Sequence, residues 1–107
     1  MNIRLCLVTC PSKEVALAIA KIVVGERLAA CVSIVDGIQS VYHWREEMVI
    51  DQEALLIVKT TVEVLERLRD RIVENHPYEV PEFVAWEPGL VSHPYAAWLE
   101  QSVRREH

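Results

Sequence analysis

Two kinds of hydrophobic pattern follow one another along this chain, and their order limits the folds that it can adopt. Apolar residues recur with the spacing of a helix face in some segments and in extended, strand-like runs in the others. The predicted strands cover residues 2–9, 28–44, 48–59 and 83–86. The predicted helices begin after capping residues at Ser12, at Thr60 or Thr61, and at Ser92.

Breaks between these segments fix where the chain turns. Cys10-Pro11-Ser12 ends the first strand, and Val35-Asp36-Gly37 interrupts the second with a predicted bulge or turn. The charged run Arg45-Glu46-Glu47 is predicted to be the tip of a long hairpin. Asn75-His76-Pro77 ends the second helix, because proline biases the preceding residue away from helical geometry. That helix is predicted to turn four apolar side chains inward: Leu65, Leu68, Ile72 and Val73.

The resulting order is strand, helix, strand, strand, helix, strand and a C-terminal helix. This order predicts an α+β fold class, a ferredoxin-like βαββαβ sandwich with helices on one face of an antiparallel sheet. It also predicts a long hairpin between the second and third strands. At 107 residues the chain has the usual length of one domain, and we expect a single domain over residues 1–107.

Composition narrows the classes of partner. Hydrophobic residues make up 51% of the chain, a high fraction for a small domain, so we expect some apolar surface to face a partner subunit. The net charge of -5 disfavours a nucleic-acid binder, which needs a clustered positive face. No apolar run approaches the ~18 residues of a membrane span, and the N-terminal run does not resemble a secretory signal. We therefore expect a cytoplasmic protein without a membrane partner.

Familiar catalytic patterns are missing from the sequence. There is no GxSxG elbow, no phosphate-cradling glycine loop and no HExxH, and the chain has only 3 glycines. Its 3 cysteines contain no CxxC pair, and we expect buried free thiols. We predict no catalytic residue, no required cofactor and no enzymatic activity.

The segment "HPYEVPE" (76–82) concentrates the candidate chemical residues. His76 is a candidate metal ligand, and the alternative is a histidine that hydrogen-bonds the end of the second helix. Glu79 and Glu82 are either an acid–base pair or surface and ion-pair groups. Lys59 closes the apolar run "ALLIVK" and is expected to reach solvent or to pair with a carboxylate such as Glu82.

Aromatic residues form a second set of candidates. Large amphipathic rings favour sites that are apolar at one end and wet at the other, as in subunit interfaces, although a core position is an equal alternative for some of them. They lie on the hairpin and in the C-terminal third of the chain: Tyr42, Trp44, Tyr78, Trp86, Tyr95 and Trp98. A long hairpin that carries such rings is expected to dock on a neighbouring molecule, because an isolated hairpin is only marginally stable.

Four separated blocks resemble, in order and spacing, the divalent-cation tolerance family called CutA. The blocks are "ERLAACVSIVDGIQSVYHW" (26–44), "LLIVKTT" (55–61), "HPYEVPE" (76–82) and "YAAWL" (95–99). The resemblance covers nearly the whole chain. It implies a ferredoxin-like subunit assembled as a compact homotrimer, cytosolic in bacteria, and linked to tolerance of copper and other divalent metals.

The resemblance also has implications for the site. Some members carry a cysteine where this chain has Val8 and a second histidine where it has Asn75, so His76 alone remains of that copper-ligand set. Cys10 would share the side of Val8 if the first strand reaches it. A cleft, either within one subunit or between subunits, is expected from five further residues: Lys59, Tyr78, Glu79, Glu82 and Trp98.

The leading hypothesis is therefore a non-enzymatic, cytosolic homotrimer for divalent-cation tolerance that binds Cu(II) or another divalent cation weakly through His76. The competing hypothesis is a trimeric signalling protein similar to the PII nucleotide sensors, which share this subunit shape and bind a nucleotide or another small ligand.

Overall fold

The computed structural model describes residues 1–105. Its elements in chain order are β1 Ile3–Cys10, α1 Lys13–Gly25, β2 Cys31–Trp44, β3 Glu47–Thr61, a 3-10 turn Val62–Val64, α2 Leu65–Glu74, β4 Val84–Trp86 and α3 His93–Ser102. The strands form one antiparallel sheet in the order β2-β3-β1-β4. The predicted α+β ferredoxin-like fold, with its long hairpin and extra C-terminal helix, is confirmed.

Strand alternation divides the sheet into a covered face and an open one. On β1, Cys6, Val8 and Cys10 are fully buried, and they pair with Val58, Leu56 and Ala54 of β3. Because β1 extends to Cys10, this cysteine does lie on the same side as Val8. These residues form one hydrophobic core with side chains of α1 and α2: Ala16, Ile19, Val23, Leu68 and Ile72.

The opposite face of the sheet, called here the open face, carries apolar side chains that the helices do not bury. Leu5, Leu7, Leu55 and Ile57 are half-buried, and the β4 residues Val84 and Trp86 are exposed; these six residues define the open face. The open face is therefore an exposed apolar patch, of a kind that monomeric proteins rarely leave in contact with water.

The structure confirms some of the predictions made for the helices and corrects others. The Ser12 side chain accepts a hydrogen bond from the Val15 N–H at 3.2 Å, so the predicted cap of α1 is confirmed. Thr61 and Ser92 precede their helices without a side-chain cap bond. The inward position predicted for Val73 is wrong, because its side chain is 45% exposed; the buried stripe of α2 runs instead through Leu68 and Ile72.

The β2–β3 hairpin is bent at its middle and closed by a tight turn. The strand register shifts between Val35 and Ile38, which confirms the predicted bulge, and Gly37 there has φ +72°. Beyond the bulge, residues 38–53 form what we call the arm. At its tip, Arg45 and Glu46 both adopt left-handed backbone angles, φ 51° and 69°, and Trp44 pairs directly with Glu47. A two-residue loop with both residues left-handed is the geometry of a type I′ turn.

The arm makes the molecule elongated, with principal extents of 44 × 26 × 21 Å. Among residues 1–105, none of the helices is long and apolar enough to cross a membrane.

Candidate functional site

His76 lies on the connector, residues 75–83, which links α2 to β4. Its Nδ1 accepts a hydrogen bond from the Tyr78 N–H at 3.1 Å, so the proton belongs on Nε2, which lies 2.7 Å from the Thr9 carbonyl oxygen and donates to it. The imidazole therefore ties the connector to the end of β1. The alternative prediction, a bond from His76 to the end of the second helix, is met by its backbone N–H, which donates to the Val73 carbonyl at 3.2 Å. The side chain instead bonds Thr9, because the chain folds back from α2 toward β1.

A second feature of His76 bears on metal binding. The Cys10 Sγ lies 3.7 Å from His76 Nε2, so one sulfur and one nitrogen donor face each other. Thiolate and imidazole are both ligands for copper and zinc. Burial, and secondarily the charge of Glu53, raises the pKa of the Cys10 thiol to about 11, so a metal would have to displace its proton. Within residues 1–105 no three His, Cys, Asp or Glu side chains gather in a way that could hold a metal ion.

A cleft of about 640 Å³ lies between the arm and the connector. Three of the five residues predicted for a cleft line it, namely Tyr78, Glu79 and Glu82. The other lining residues come from β1, the arm and the connector: Thr9, Ser40, Val41, Tyr42, Trp44, Glu53, Pro77 and Val80. Connector and arm are about 30 residues apart in sequence, so only the fold brings these walls together.

Glu53 is the central polar residue of the cleft, and the sequence analysis did not single it out. Only 7% of Glu53 is exposed, and the Tyr78 hydroxyl donates to its Oε2 at 2.6 Å. Its position directly before the apolar run "ALLIVK" could have identified Glu53 as a candidate. A charged residue there either ends the buried strand or is itself buried with a partner.

Negative charge dominates the interior of the cleft. Partial burial raises the pKa of the Glu82 carboxyl, and the charge of Glu53 raises it further. Burial, followed by the hydrogen bond to Glu53, raises the pKa of Tyr78, and the hydrogen bond to Asp51 raises the pKa of Tyr42. The residues that line the cleft include no Lys, Arg or His.

At the mouth of the cleft, an ion pair joins the arm tip to the connector. The Arg45 guanidinium lies 3.1 Å from the Glu79 carboxylate, and its carbon is 5.4 Å from the centre of the Trp44 ring. Both charged side chains are largely exposed, so the ion pair adds little stability. It does hold a cation against an aromatic ring at the rim.

Lys59 and Trp98 lie outside the walls of this cleft, which corrects the expectation that they share it. Lys59 is six residues along β3 from Glu53, a separation of roughly 20 Å in an extended strand. Its Nζ donates to Ser33 Oγ and lies 3.7 Å from Cys31 Sγ, so of the two alternatives predicted for Lys59 the pairing with Glu82 is wrong, and the side chain is partly exposed to solvent. Trp98 is on α3, with its ring 5.6 Å from that of Tyr95.

Fold and site together define a small ferredoxin-like α+β protein with an acidic, aromatic-walled cleft beneath a β-arm. Residues 4–102 match the family described as CutA1 divalent ion tolerance protein. A divalent-cation tolerance protein CutA of Thermus thermophilus is 50% identical over 96 residues, which cover 90% of this chain and 93% of that protein. The chain belongs to the CutA1 divalent ion tolerance family, as the sequence blocks predicted.

Two plant relatives add to this comparison. A chloroplastic CutA of Arabidopsis thaliana is 44% identical over 91% of this chain, which spans only 53% of that protein. The crystal structure of CutA1 from Oryza sativa superposes with a TM-score of 0.95 at 39% identity, covering 99% of this chain and 97% of that one. The fold of residues 1–105 is therefore the fold of this family.

Proposed function

We propose that this chain acts as a cytoplasmic homotrimer in divalent-cation tolerance, without catalysis, and binds copper weakly. The observation that carries the assembly is the open face, on which Leu5, Leu7, Leu55 and Ile57 are only partly buried in a fold of this family. Burial of such a surface stabilises an oligomer by roughly 25 cal/mol for each Å² removed from water. A closed ring of three, the state that the family resemblance implies, leaves no copy with an uncovered face.

The arm supplies a second surface for the assembly. Val41, Met48 and Ile50 alternate on one side of the arm and are exposed in the single chain. A two-stranded projection gains most of its stability from packing against something else. The free state of all three cysteines fits a reducing compartment such as the cytoplasm.

Light scattering on purified protein tests the assembly. The expected mass is three times 12.3 kDa. Val84→Glu, which places a charge on the open face where the side chain is 54% exposed, should shift the mass toward the single chain. Leu17→Glu is the matched control, because Leu17 is 45% exposed on α1, away from the open face, and its variant should keep the trimer mass. A single-chain mass for the unsubstituted protein at micromolar concentration would refute the assembly.

For copper, the proposed donors are His76 Nε2 and Cys10 Sγ, and binding requires both atoms to lose their protons and Nε2 to give up its hydrogen bond to the Thr9 carbonyl. A pair of donors gives weak binding unless water or a neighbouring subunit completes the coordination. We expect a Cu(II) titration followed by absorption to show binding that His76→Ala abolishes and His43→Ala preserves, since His43 lies exposed on the arm. Equal binding by the two variants would overturn the assignment to His76.

The PII-like alternative requires a site for an anionic nucleotide. Three carboxylates and no basic side chain line the cleft, which disfavours phosphate groups there. Addition of ATP to the same protein in native mass spectrometry should therefore give no specific adduct. A saturable ATP adduct would favour the signalling role over the metal role.

A further inference from the structure

We propose that the cleft between the arm and the connector binds a small organic cation, an ammonium or quaternary ammonium compound. The site uses Glu53 and Glu82 for charge and Tyr42, Trp44 and Tyr78 for aromatic contact. It shares no ligating atom with the proposed His76–Cys10 copper pair, so each proposal can be tested independently of the other.

The first argument is the state of the Glu53 carboxylate. Its side chain is more than nine-tenths buried and receives one hydrogen bond, from Tyr78 to Oε2. Throughout residues 1–105 it forms no ion pair with any Lys, Arg or His. A buried carboxylate is costly unless a cation or several donors offset the lost hydration. A cation in the cleft would supply that offset.

The second argument is the aromatic wall. Tyr42 and Trp44 alternate along β2 and line the cleft together with Tyr78 from the connector. The negative faces of aromatic rings attract cations, and rings grouped with carboxylates are the usual recognition chemistry for quaternary ammonium groups. The chain itself uses this chemistry at the rim, where the Arg45 guanidinium lies over Trp44 and against Glu79. The other two carboxylates of the cleft, Glu53 and Glu82, form no ion pair with a described residue.

The third argument separates an organic cation from a metal ion. A volume of about 640 Å³ falls in the range of small-molecule sites and far exceeds one metal ion. The carboxylates of the described chain do not converge into a set of three metal ligands. A larger cation whose charge is spread over several carbon atoms can instead contact separated carboxylates and rings at once.

Calorimetry with choline as the probe tests the site, with 3,3-dimethyl-1-butanol as its neutral isostere. Choline should bind about tenfold or more tightly than the isostere, because only choline carries the charge that the carboxylates and rings recognise. Glu53→Gln and Glu82→Gln should each weaken choline binding by roughly tenfold or more, while copper binding through His76 remains. Glu66→Gln, on the exposed side of α2, is the control and should bind choline like the unsubstituted protein.

Three outcomes would overturn the proposal. One is equal binding of choline and its neutral isostere, and another is unchanged choline binding in both cleft variants. The third is no choline binding together with an altered light-scattering mass in Glu53→Gln, which would assign the cleft to a basic side chain of a neighbouring subunit. Glu82→Gln keeps the test decisive if Glu53→Gln does not fold, because Glu82 lies at an exposed position of the wall.

Discussion

At the scale of single residues, His76 acts as a structural link even before any metal is considered. Its two ring nitrogens join the connector to β1 through Tyr78 and Thr9. Loss of a buried hydrogen-bond partner typically costs about 1–3 kcal/mol. We expect His76→Ala to lower the free energy of unfolding by that amount in urea denaturation. His43→Ala should change it by less than about 0.5 kcal/mol. Equal effects would contradict the link.

Glu82 gives a prediction that depends on pH. Partial burial and the charge of Glu53 raise the pKa of its carboxyl, so the folded state holds the proton more tightly than the unfolded state does. The stability that this group contributes is full below the ordinary carboxyl pKa and is lost as pH rises through the raised value. Neutral Glu82→Gln avoids that loss. Its stability relative to the unsubstituted protein, from urea unfolding, should therefore be greater at pH 7 than at pH 4; the reverse order would contradict the shift.

The sequence grouped some residues of the cleft correctly and left others out. Tyr78, Glu79 and Glu82 were predicted together because they share one short segment, and they do line one cleft. Glu53 and Tyr42 were not grouped with them, because both residues are distant from the connector in the sequence. Glu82 was named as one carboxylate that Lys59 could pair with, on charge alone, but the distance of Lys59 from the cleft along β3 prevents that contact.

At the scale of elements, the hairpin tip carries a local strain. Glu46 has φ 69°, a left-handed angle that costs a non-glycine residue about 1–2 kcal/mol. Glu46→Gly should therefore raise the free energy of unfolding by about 1 kcal/mol, measured by urea denaturation. Glu47→Gly is the matched control, because Glu47 is a regular strand residue paired with Trp44, and it should lower stability by about 0.5–1 kcal/mol. A destabilised Glu46→Gly variant would show that the tip is not strained.

Elements also differ in how well their local sequence predicts them. The Asp36-Gly37 bulge was predicted because glycine tolerates its left-handed angle and aspartate can hydrogen-bond the next N–H, as Asp36 Oδ1 does at 2.9 Å. The position of the tip was predicted from its charges, but its turn type was not, because Arg45-Glu46 lacks the Asn or Gly that marks a type I′ turn. Val73 was placed inward with Ile72 by the helical spacing of apolar residues, but the structure buries Ile72 and leaves Val73 exposed.

At the scale of the whole molecule, stability should depend on association. If the open face and the arm are buried only between copies, dilution releases that surface and weakens the fold. We expect the thermal midpoint of the unsubstituted protein to rise with protein concentration in calorimetry over a hundredfold range. Val84→Glu should have a lower midpoint with less dependence on concentration. A midpoint independent of concentration in both proteins would mean that assembly contributes nothing to stability.

The sequence by itself determined the order of strands and helices, the bulge, the cap at Ser12 and the family, because each of these is recorded in local periodicity or in contiguous blocks of residues. Only the tertiary structure decided that Glu53 meets Tyr78, that Cys10 faces His76, and that Lys59 stays away from the cleft. Such contacts join residues 25 to 66 positions apart. They depend on strand register and on how the connector crosses β1, and no local pattern of side chains specifies either.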